Sequence, residues 1–431
     1  MVKEGLEMKF LGLLTCCFLA FGCYLYAEND VVYHVDPIDN PNIVSIVASA
    51  APSSTVYVAK GEYKITSSLA PANGVRIIGA TGKYEDVIIN AQGKCRVILA
   101  DKGKNYISGM TLTGGYLHAT KSANATQGGG IKLTGGGVIT NCRITACSSG
   151  NFISGIGMYL NSSYCYDVLI DNCTHAATPN STATSQESTG YIVSLYGASV
   201  MDRTRVVRNI IKHGKHKQDD SWGGVLSIAN SGATYASSCI VRNCEIAHNI
   251  FENYLRTGKG TTFGSIGVSI GAGILENCTV VSNVVLNAES AVSGTSNDEG
   301  ACGVVVYPTN NGTIRNCHIA DNFYNGNLRN YSTIINNASN ASYHKRFVYC
   351  CTYPANANLP NSCVITSDSK YRIDERGHVR IEKKSPLIGA GQLQSWMADA
   401  KDVYGKIRVR SGSVDIGAVE YIPDTSFFMV R

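Results

Sequence analysis

The sequence predicts an all-β chain folded as a parallel β-helix, and three observations support this prediction. A length of 431 residues exceeds the size of one ordinary compact core. Charged residues make up only 16% of the chain while glycine occurs 44 times, a composition typical of short strands joined by many turns. A short apolar unit also recurs at steps of 31 to 39 residues, which indicates a repeat architecture.

The recurring unit has an Asn-Cys pair in its middle, as in "GILENCTVVSN" at 273–283. Asn tolerates left-handed backbone conformations, so we expect Asn277 to occupy a sharp bend and its amide to bond the same residue one coil away. Cys278 should point inward as a small apolar residue, and neither residue should be a ligand or a nucleophile. The equivalent Asn residues are predicted to be Asn141, Asn172, Asn209, Asn243 and Asn316.

Each unit also carries a glycine-led apolar strand, such as "GGGIKL" at 128–133, separated from the Asn by a loop of variable length. No unit contains an apolar pattern at helical spacing that is long enough for two helices. A propeller blade would need four strands in about 40 residues or more. A β-helix fits better, with three short strands in each coil and equivalent strands stacked as parallel sheets.

The N-terminus has the pattern of an export signal, with Lys9 followed by an apolar run and a cleavage position after Ala27. Two alternatives are a retained membrane anchor and a lipoprotein signal ending at Cys23. We therefore divide the chain into a signal peptide, an N-terminal cap with the first coils and an amphipathic helix near Ile43 to Ala51, the β-helix repeats, and a C-terminal segment covering the last coil. The respective ranges are 1–27, 28–80, 81–365 and 366–431.

The cysteines and the charge exclude several classes of function. Sixteen cysteines include three in the signal, and the odd remainder of thirteen argues against a fully paired disulfide framework. No CxxC spacing occurs, so no metal site is predicted. The formal charge of +5 is mild and mostly scattered, which indicates no nucleic-acid partner.

The coil pattern resembles right-handed parallel β-helix proteins of the pectate-lyase-like superfamily, in particular bacterial surface proteins related to polymorphic outer membrane proteins. Their GGx(I/L) motif is matched by "GGGI" at 128–131 and "GGVL" at 223–226. The C-terminal region is similar to that of choice-of-anchor Q proteins. The C-terminal resemblance rests on Ser385, Pro386, Ile388, Gly391, Asp402, Gly405, Arg408, Asp415, Ile416, Gly417, Ala418 and Glu420. Together the two resemblances imply export to the cell surface or the medium, or association with an outer membrane.

One coil and its loop carry the residues that a polysaccharide lyase of this fold would need. Such an enzyme removes a proton beside a uronate carboxylate with Lys or Arg, often with calcium, which is the one cofactor considered. The catalytic candidates are Lys217, Arg205 and Arg208. The substrate-binding candidates are His213, His216, Asp219, Asp220 and Trp222. The alternative is that this charge-rich segment is a solvated loop.

The leading functional prediction is a non-catalytic surface or secreted protein that binds a polysaccharide or host glycan, or mediates adhesion, through its long lateral face. The competing prediction is a uronate lyase that uses residues 203–222. The chain contains 24 tyrosines, and exposed tyrosines on a solenoid often contact carbohydrate, although buried stacks are an equal alternative.

Overall fold

Parallel pairing between successive coils confirms the predicted β-helix in the computed structural model of the chain. Strands far apart in sequence lie side by side in a constant register, as between Val138–Thr145 and Tyr164–Asp171. The structure describes residues 31–38, 41–117, 127–149, 154–176, 190–212, 224–228, 238–252, 255–256, 267–286, 289–290, 302–306, 312–333, 341–355 and 359–423.

Two of the parallel sheets meet at a one-residue corner and are joined by two long strands that run through both. Inward positions alternate with outward ones along each strand, as the strand period requires. The strands of the first sheet are Val32–Val35, Thr55–Val58, Arg76–Gly79, Tyr106–Ser108, the first halves of Val138–Thr145 and Tyr164–Asp171, then Val200–Asp202, Ile240–Arg242, Ile274–Glu276, Thr313–Arg315 and Phe347–Val348. The strands of the second sheet are Gly61–Lys64, Val87–Asn90, Thr111–Thr113, the second halves of the two long strands, Arg205–Val207, Glu245–Ala247, Thr279–Val281, His318–Ala320, Cys351–Thr352 and Val364–Ile365.

A third and a fourth sheet complete the coils, so a coil contains up to four strands where the sequence predicted three. The fourth strand exists because the chain bends a second time after the second sheet. The third sheet consists of Ile98–Ala100, Ile131–Thr134, Ser154–Asn161, Tyr191–Tyr196, Gly224–Ile228, Val268–Ile270, Val304–Val306 and Tyr331–Thr333. The fourth consists of Tyr116–Leu117, Ser148–Ser149, Thr174–Ala176, Ile210–Lys212, Ile250–Glu252, Val284–Leu286, Phe323–Tyr324 and the antiparallel Asn327–Leu328.

The elements outside these sheets are short. The predicted N-terminal helix is confirmed as Ile43–Ser49, capped by the side chain of Asn42, and it buries Ile43 and Val47 against the first coils. The remaining elements are the strand pair Leu255–Arg256 and Glu289–Ser290, the antiparallel hairpin Tyr371–Ile373 and Val379–Ile381, and the 3-10 helices Ala341–Arg346 and Ser395–Met397. No helix in the described ranges is long and apolar enough to cross a membrane. The predicted signal peptide lies outside those ranges.

The first corner confirms the bend predicted at Asn277, where φ is 48°. Asn316 donates to the Asn277 amide oxygen one coil away at 3.2 Å, which is the predicted contact between successive corners. Two assignments were wrong. Strand register places Asp167 beside Asn141, so Asn172 belongs to the second corner, and Asn209 faces the interior just after that corner.

The misassignment has a physical reason, because the first corner does not always carry Asn. Arg203 occupies it with φ of 47°, and Asp167 occupies the same place one coil earlier with φ of 53°. Their side chains form two hydrogen bonds, at 2.7 and 2.8 Å, across the neighbouring coils. This charged pair stabilises a backbone conformation that is otherwise unfavourable for both residue types.

A ladder of interior amides runs along the second corner. The amide oxygens of Asn249, Asn283 and Asn322 each accept both the backbone N–H and the side-chain N–H of the Asn in the coil before, as where Asn249 donates to Asn283 at 3.3 and 2.8 Å. Asn330 accepts the same two groups from Asn322. Each side-chain amide also donates to a backbone carbonyl, so these fully buried polar groups are satisfied. The ladder consists of Asn209, Asn249, Asn283, Asn322 and Asn330.

The thirteen cysteines outside the predicted signal are free thiols, and eleven of them are buried. Cys278 is fully buried, as predicted for a small inward residue, and hydrogen-bonds the carbonyl of Glu276 at 3.3 Å. Burial raises the pKa of Cys142 to about 12, so the reactive thiolate is strongly disfavoured. The cysteine column therefore belongs to the apolar core.

We expect Ellman's reagent to modify at most Cys95 and Cys363 in the native protein that starts at residue 28. These two thiols are the partly exposed ones, whereas the other eleven are shielded from a charged reagent. The measurement is the absorbance of released thionitrobenzoate at neutral pH before and after denaturation, which should expose all thirteen thiols. Rapid modification of four or more thiols in the native state would contradict the packing described.

The C-terminal segment covers the side of the solenoid instead of only its last coil. Outward residues of the second sheet are apolar in successive coils, so they form a stripe that must be shielded from water. The segment packs Leu387, Ile416 and Ala418 onto that stripe, which consists of Val207, Ala247, Val281 and Cys351. We call residues 366–423 the side cap.

One glycine allows the side cap to approach the sheet closely. Gly417 has φ of +104°, and a Cβ atom there would lie 2.8 Å from Oγ1 of Thr279. The next residue, Ala418, donates its N–H to the same hydroxyl at 2.9 Å. A side chain at position 417 would therefore push the side cap away from the second sheet.

A buried charge network holds the side cap together, and it contains residues that carried the choice-of-anchor Q resemblance. Arg408 is fully buried, with Nη1 3.2 Å from Oε1 of Glu420, and it also donates to the carbonyl of Gly417. Asp402 and Asp415 accept backbone N–H groups around it. Burial, opposed by Arg408, raises the pKa of Glu420 to about 9. These residues have a structural role in the side cap.

Candidate functional site

Most residues of the predicted lyase site lie within 213–223, a range that the structure does not describe. These residues are Lys217, His213, His216, Asp219, Asp220 and Trp222. Their roles remain predictions. The two catalytic candidates that the structure describes are Arg205 and Arg208, both on or next to the strand Arg205–Val207 of the second sheet.

Arg205 lies beneath the side cap, with its side chain only 13% exposed. It contacts Glu245 at 3.3 Å and donates to the carbonyl of Gly377 at 3.0 Å, and its guanidinium lies 5.6 Å from the centre of the Tyr404 ring. Burial alone would lower the pKa of Arg205, but Glu245, Tyr404 and Asp374 together outweigh it and the pKa is raised. This environment holds the proton on Arg205, whereas a general base must release it.

Arg208 is more accessible, with 43% of its side chain exposed. One of its nitrogens lies 3.4 Å from the carboxylate of Asp171. Arg143 binds the same carboxylate with two hydrogen bonds, at 3.0 and 2.8 Å. The two arginines and Asp171 therefore form a partly exposed ion-pair cluster in which Arg143 makes the stronger contacts.

The other charged residues that the structure describes in this coil are also paired. Lys212 lies 3.2 Å from Glu252. Asp202 accepts hydrogen bonds from Arg242 and from the amide of Asn243, each at 2.9 Å. Among the residues that the structure describes, no group of three or more His, Cys, Asp or Glu side chains could hold a metal ion. The described part of the predicted lyase site thus consists mainly of ion pairs between coils.

A different surface presents side chains suited to ligand contact. The outward residues of the first sheet, between its second and sixth strands, include four half-buried tyrosines. The positions between them, such as Val56, Ile107 and Cys165, are fully buried, which shows that the tyrosines point away from the core. We call this surface the tyrosine face, defined by Tyr57, Tyr106, Tyr164 and Tyr166.

Strand register gives the spacing of these rings along the solenoid. Tyr57 lies on the second strand of the first sheet, Tyr106 on the fourth, and Tyr164 and Tyr166 on the sixth. Neighbouring strands are about 4.8 Å apart, so an aromatic position recurs every two coils, or about every 10 Å. The face therefore has a regular aromatic repeat along the long axis of the protein.

The same register gives the width of the tyrosine face. Tyr57 is in line with Tyr166, while Tyr106 is in line with Tyr164, so the rings occupy two adjacent rows. The centres of the Tyr164 and Tyr166 rings lie 6.4 Å apart, and their planes are parallel to within 4°. These two neighbouring rings form a parallel, stacked aromatic pair at one end of the face.

Charge is sparse on the tyrosine face. Arg76 is the one charged residue among the outward positions of these strands, and its guanidinium lies 5.4 Å from the centre of the Tyr106 ring. The remaining outward residues there are Thr55, Ile78, Ser108, Val138 and Thr140. The surface is thus mainly aromatic, aliphatic and hydroxyl in character.

The side cap marks the other end of this lateral surface. Beyond Tyr166 the outward row continues with charged residues, which alternate in sign as Asp202, Arg242, Glu276 and Arg315. The side cap covers two of them, because the Trp396 ring lies 4.5 Å from the Arg242 guanidinium and Gln394 accepts from Arg315 at 2.7 Å. The uncovered aromatic area is therefore bounded by a charged edge.

Sequence reasoning missed these tyrosines as a group. The chain contains 24 tyrosines, and only the register between coils shows which of them share a face. A signal was present in the alternation of "TVYV" and "YCYDV", in which tyrosines occupy the positions between apolar residues. That alternation predicts exposure of each ring, but not the distance between rings on different coils.

No protein-family model matches the chain, and no curated protein matches it. Among solved structures it is similar to the pectate lyase Pel9A, with 11% identity, coverage of 91% of this chain and 96% of that chain, and a TM-score of 0.41. It is also similar to a pectin methylesterase from Aspergillus niger, with 13% identity, coverage of 77% and 92%, and a TM-score of 0.27. A PL6 family alginate lyase, AlyGC, has 10% identity, coverage of 92% and 59%, and a TM-score of 0.25. Likenesses this remote concern overall architecture only.

Proposed function

We propose that this chain is an exported, non-catalytic protein that binds polysaccharide through the tyrosine face. The observation that carries the proposal is the recurrence of outward rings every second coil, at Tyr57, Tyr106 and Tyr164, in two adjacent rows of the first sheet. Aromatic rings bind the apolar C–H faces of sugars while the phenol hydroxyls hydrogen-bond sugar hydroxyls. A rigid sheet holds the rings in place before binding, so little conformational entropy is lost.

The arginines that the structure describes at 203–208 support binding over catalysis. A lyase would need a base that releases its proton, whereas the Arg205 proton is held by Glu245 under the side cap. Arg203 and Arg208 also contact carboxylates, those of Asp167 and Asp171. Export and surface location belong to the proposal on the strength of the N-terminal pattern and the resemblance to bacterial surface proteins.

We expect the double substitution Tyr164→Ala and Tyr166→Ala to weaken polysaccharide binding by about tenfold or more, because it removes both rings of the stacked aromatic pair. Binding is measured by affinity electrophoresis through gels that contain a panel of neutral and acidic polysaccharides. Tyr116→Ala is the matched control, since Tyr116 lies on the fourth sheet of the coil that carries Tyr106. The control should migrate like the unchanged protein.

The same panel tests the competing function. The protein is incubated with polyuronates and calcium while the absorbance of unsaturated products is followed, and no increase is expected. Product formation that is lost on substitution of Arg208 would support the lyase and overturn the non-catalytic proposal. Binding that is unaffected by loss of Tyr164 and Tyr166 would overturn the assignment of the tyrosine face.

A further inference from the structure

The spacing of the rings restricts the class of glycan, provided that the proposed glycan binding by the tyrosine face is correct. A pyranose in an extended chain advances the chain by about as much as one strand spacing in a sheet, which is about 4.8 Å. One sugar would then lie over each coil. The rings at Tyr57, Tyr106 and Tyr164 recur every second coil, so they would meet every second sugar.

The geometry of the glycosidic linkages decides which glycan chains can stack on rings that recur every second coil. Equatorial linkages at both ends of each pyranose give a flat, extended ribbon in which alternate sugars are turned over, so equivalent ring faces recur every second unit. An axial linkage at one end and an equatorial linkage at the other, as in α-1,4-linked glucose, give a coiled chain that leaves a flat surface after a few units. Ring positions at two-coil intervals, staggered over two adjacent rows, therefore match the extended ribbon and not the coil.

The scarcity of charged residues on the tyrosine face restricts the class of glycan further. Between Tyr57 and Tyr166 the outward positions of the first sheet include one charged residue, Arg76, which is already placed against the Tyr106 ring at 5.4 Å. At the adjoining corner, the carboxylate of Asp167 is paired with Arg203 at 2.7 Å. A polyuronate has one carboxylate on every sugar, and this surface lacks a matching series of cations.

We propose that the tyrosine face binds a linear, uncharged glycan of equatorially linked pyranoses. The chain lies along the solenoid axis, and its first, third and fifth sugars stack on the three ring positions. Tyr57 and Tyr164 are four coils apart, or about 19 Å. A pentasaccharide is thus the shortest ligand that reaches all three positions, and a trisaccharide reaches two.

Titration calorimetry with defined oligosaccharides tests this proposal. The probes are the trimers and pentamers of β-linked glucose, mannose and xylose, together with maltopentaose and the pentamer of galacturonate. In at least one β-linked series, the pentamer should bind about fivefold to tenfold more tightly than the trimer, because it engages one more ring. Maltopentaose and the galacturonate pentamer should bind more weakly than that pentamer.

Substitution at the central position gives the second readout. Tyr106→Ala should remove most of the advantage of the pentamer, whereas Tyr106→Phe retains the ring and should preserve it. Equal affinity for trimer and pentamer, or tighter binding of maltopentaose or galacturonate, would overturn the proposed ligand class while polysaccharide binding itself could persist. Absence of binding to every oligosaccharide and every polysaccharide of the panel would instead overturn the proposed function.

Discussion

Replacement of Asn283 by leucine is expected to lower the free energy of unfolding by about 3–5 kcal/mol, because it interrupts the interior amide ladder. The Asn283 amide oxygen accepts the backbone N–H and the side-chain N–H of Asn249, at 3.3 and 2.8 Å. Its amide nitrogen donates to the Ile246 carbonyl at 3.0 Å and to Asn322 at 2.9 Å. Leucine has nearly the same volume but leaves these buried groups without their partners.

The measurement is a urea titration followed by circular dichroism. Asn161→Leu is the matched control, since Asn161 ends a strand of the third sheet and is exposed. The control should change the free energy of unfolding by about 0.5 kcal/mol or less. A loss below about 1 kcal/mol for Asn283→Leu would show that the ladder contributes little to stability.

Replacement of Arg408 by methionine is expected to destabilise the side cap by about 3–5 kcal/mol. Arg408 is the cation among three buried acidic side chains, those of Asp402, Asp415 and Glu420. Burial lowers the pKa of Arg408, and Glu420 and Asp402 oppose that effect by favouring its charged form. Methionine fills part of the space but removes the positive charge that faces Asp402 and Asp415, and it cannot donate to the Gly417 carbonyl.

Limited proteolysis within residues 366–423 and urea titration measure this effect. The variant should be cleaved in the side cap at a protease concentration that leaves the unchanged protein intact. Arg410→Met is the matched control, because Arg410 is exposed and its side chain hydrogen-bonds the carbonyl of Tyr421 at 3.3 Å. Equal proteolysis of the two variants would contradict the role of the buried charge network.

Much of the fold could be predicted because the repeat has a direct physical cause. A corner residue with positive φ followed by a small inward residue recurs in each coil, and Asn277 with Cys278 was interpreted correctly in this way. The second corner also requires a residue with positive φ, and Asn172 meets that requirement there. The sequence pattern therefore assigned Asn172 to the first corner by mistake. The sequence shows which residues suit a corner, but strand pairing decides which corners align.

The candidate site was less predictable, because strand pairing also decides which side chains share a surface. The segment around Arg205 was predicted as a lyase site because charged residues cluster there in sequence. In the structure, Arg205 and Glu245 form an ion pair between coils that the side cap covers. The tyrosines of the proposed site are up to 109 residues apart, from Tyr57 to Tyr166, and they share a face only through the register of five strands.

Crystallography of the protein soaked with the tightest-binding oligosaccharide tests the central claim most directly. The account predicts density for an extended chain over the first sheet, parallel to the solenoid axis, with sugars stacked on Tyr57, Tyr106 and Tyr164. Ordered sugar on another sheet, or a cleaved oligosaccharide beside Arg208, would contradict the assignment of the tyrosine face as the functional surface.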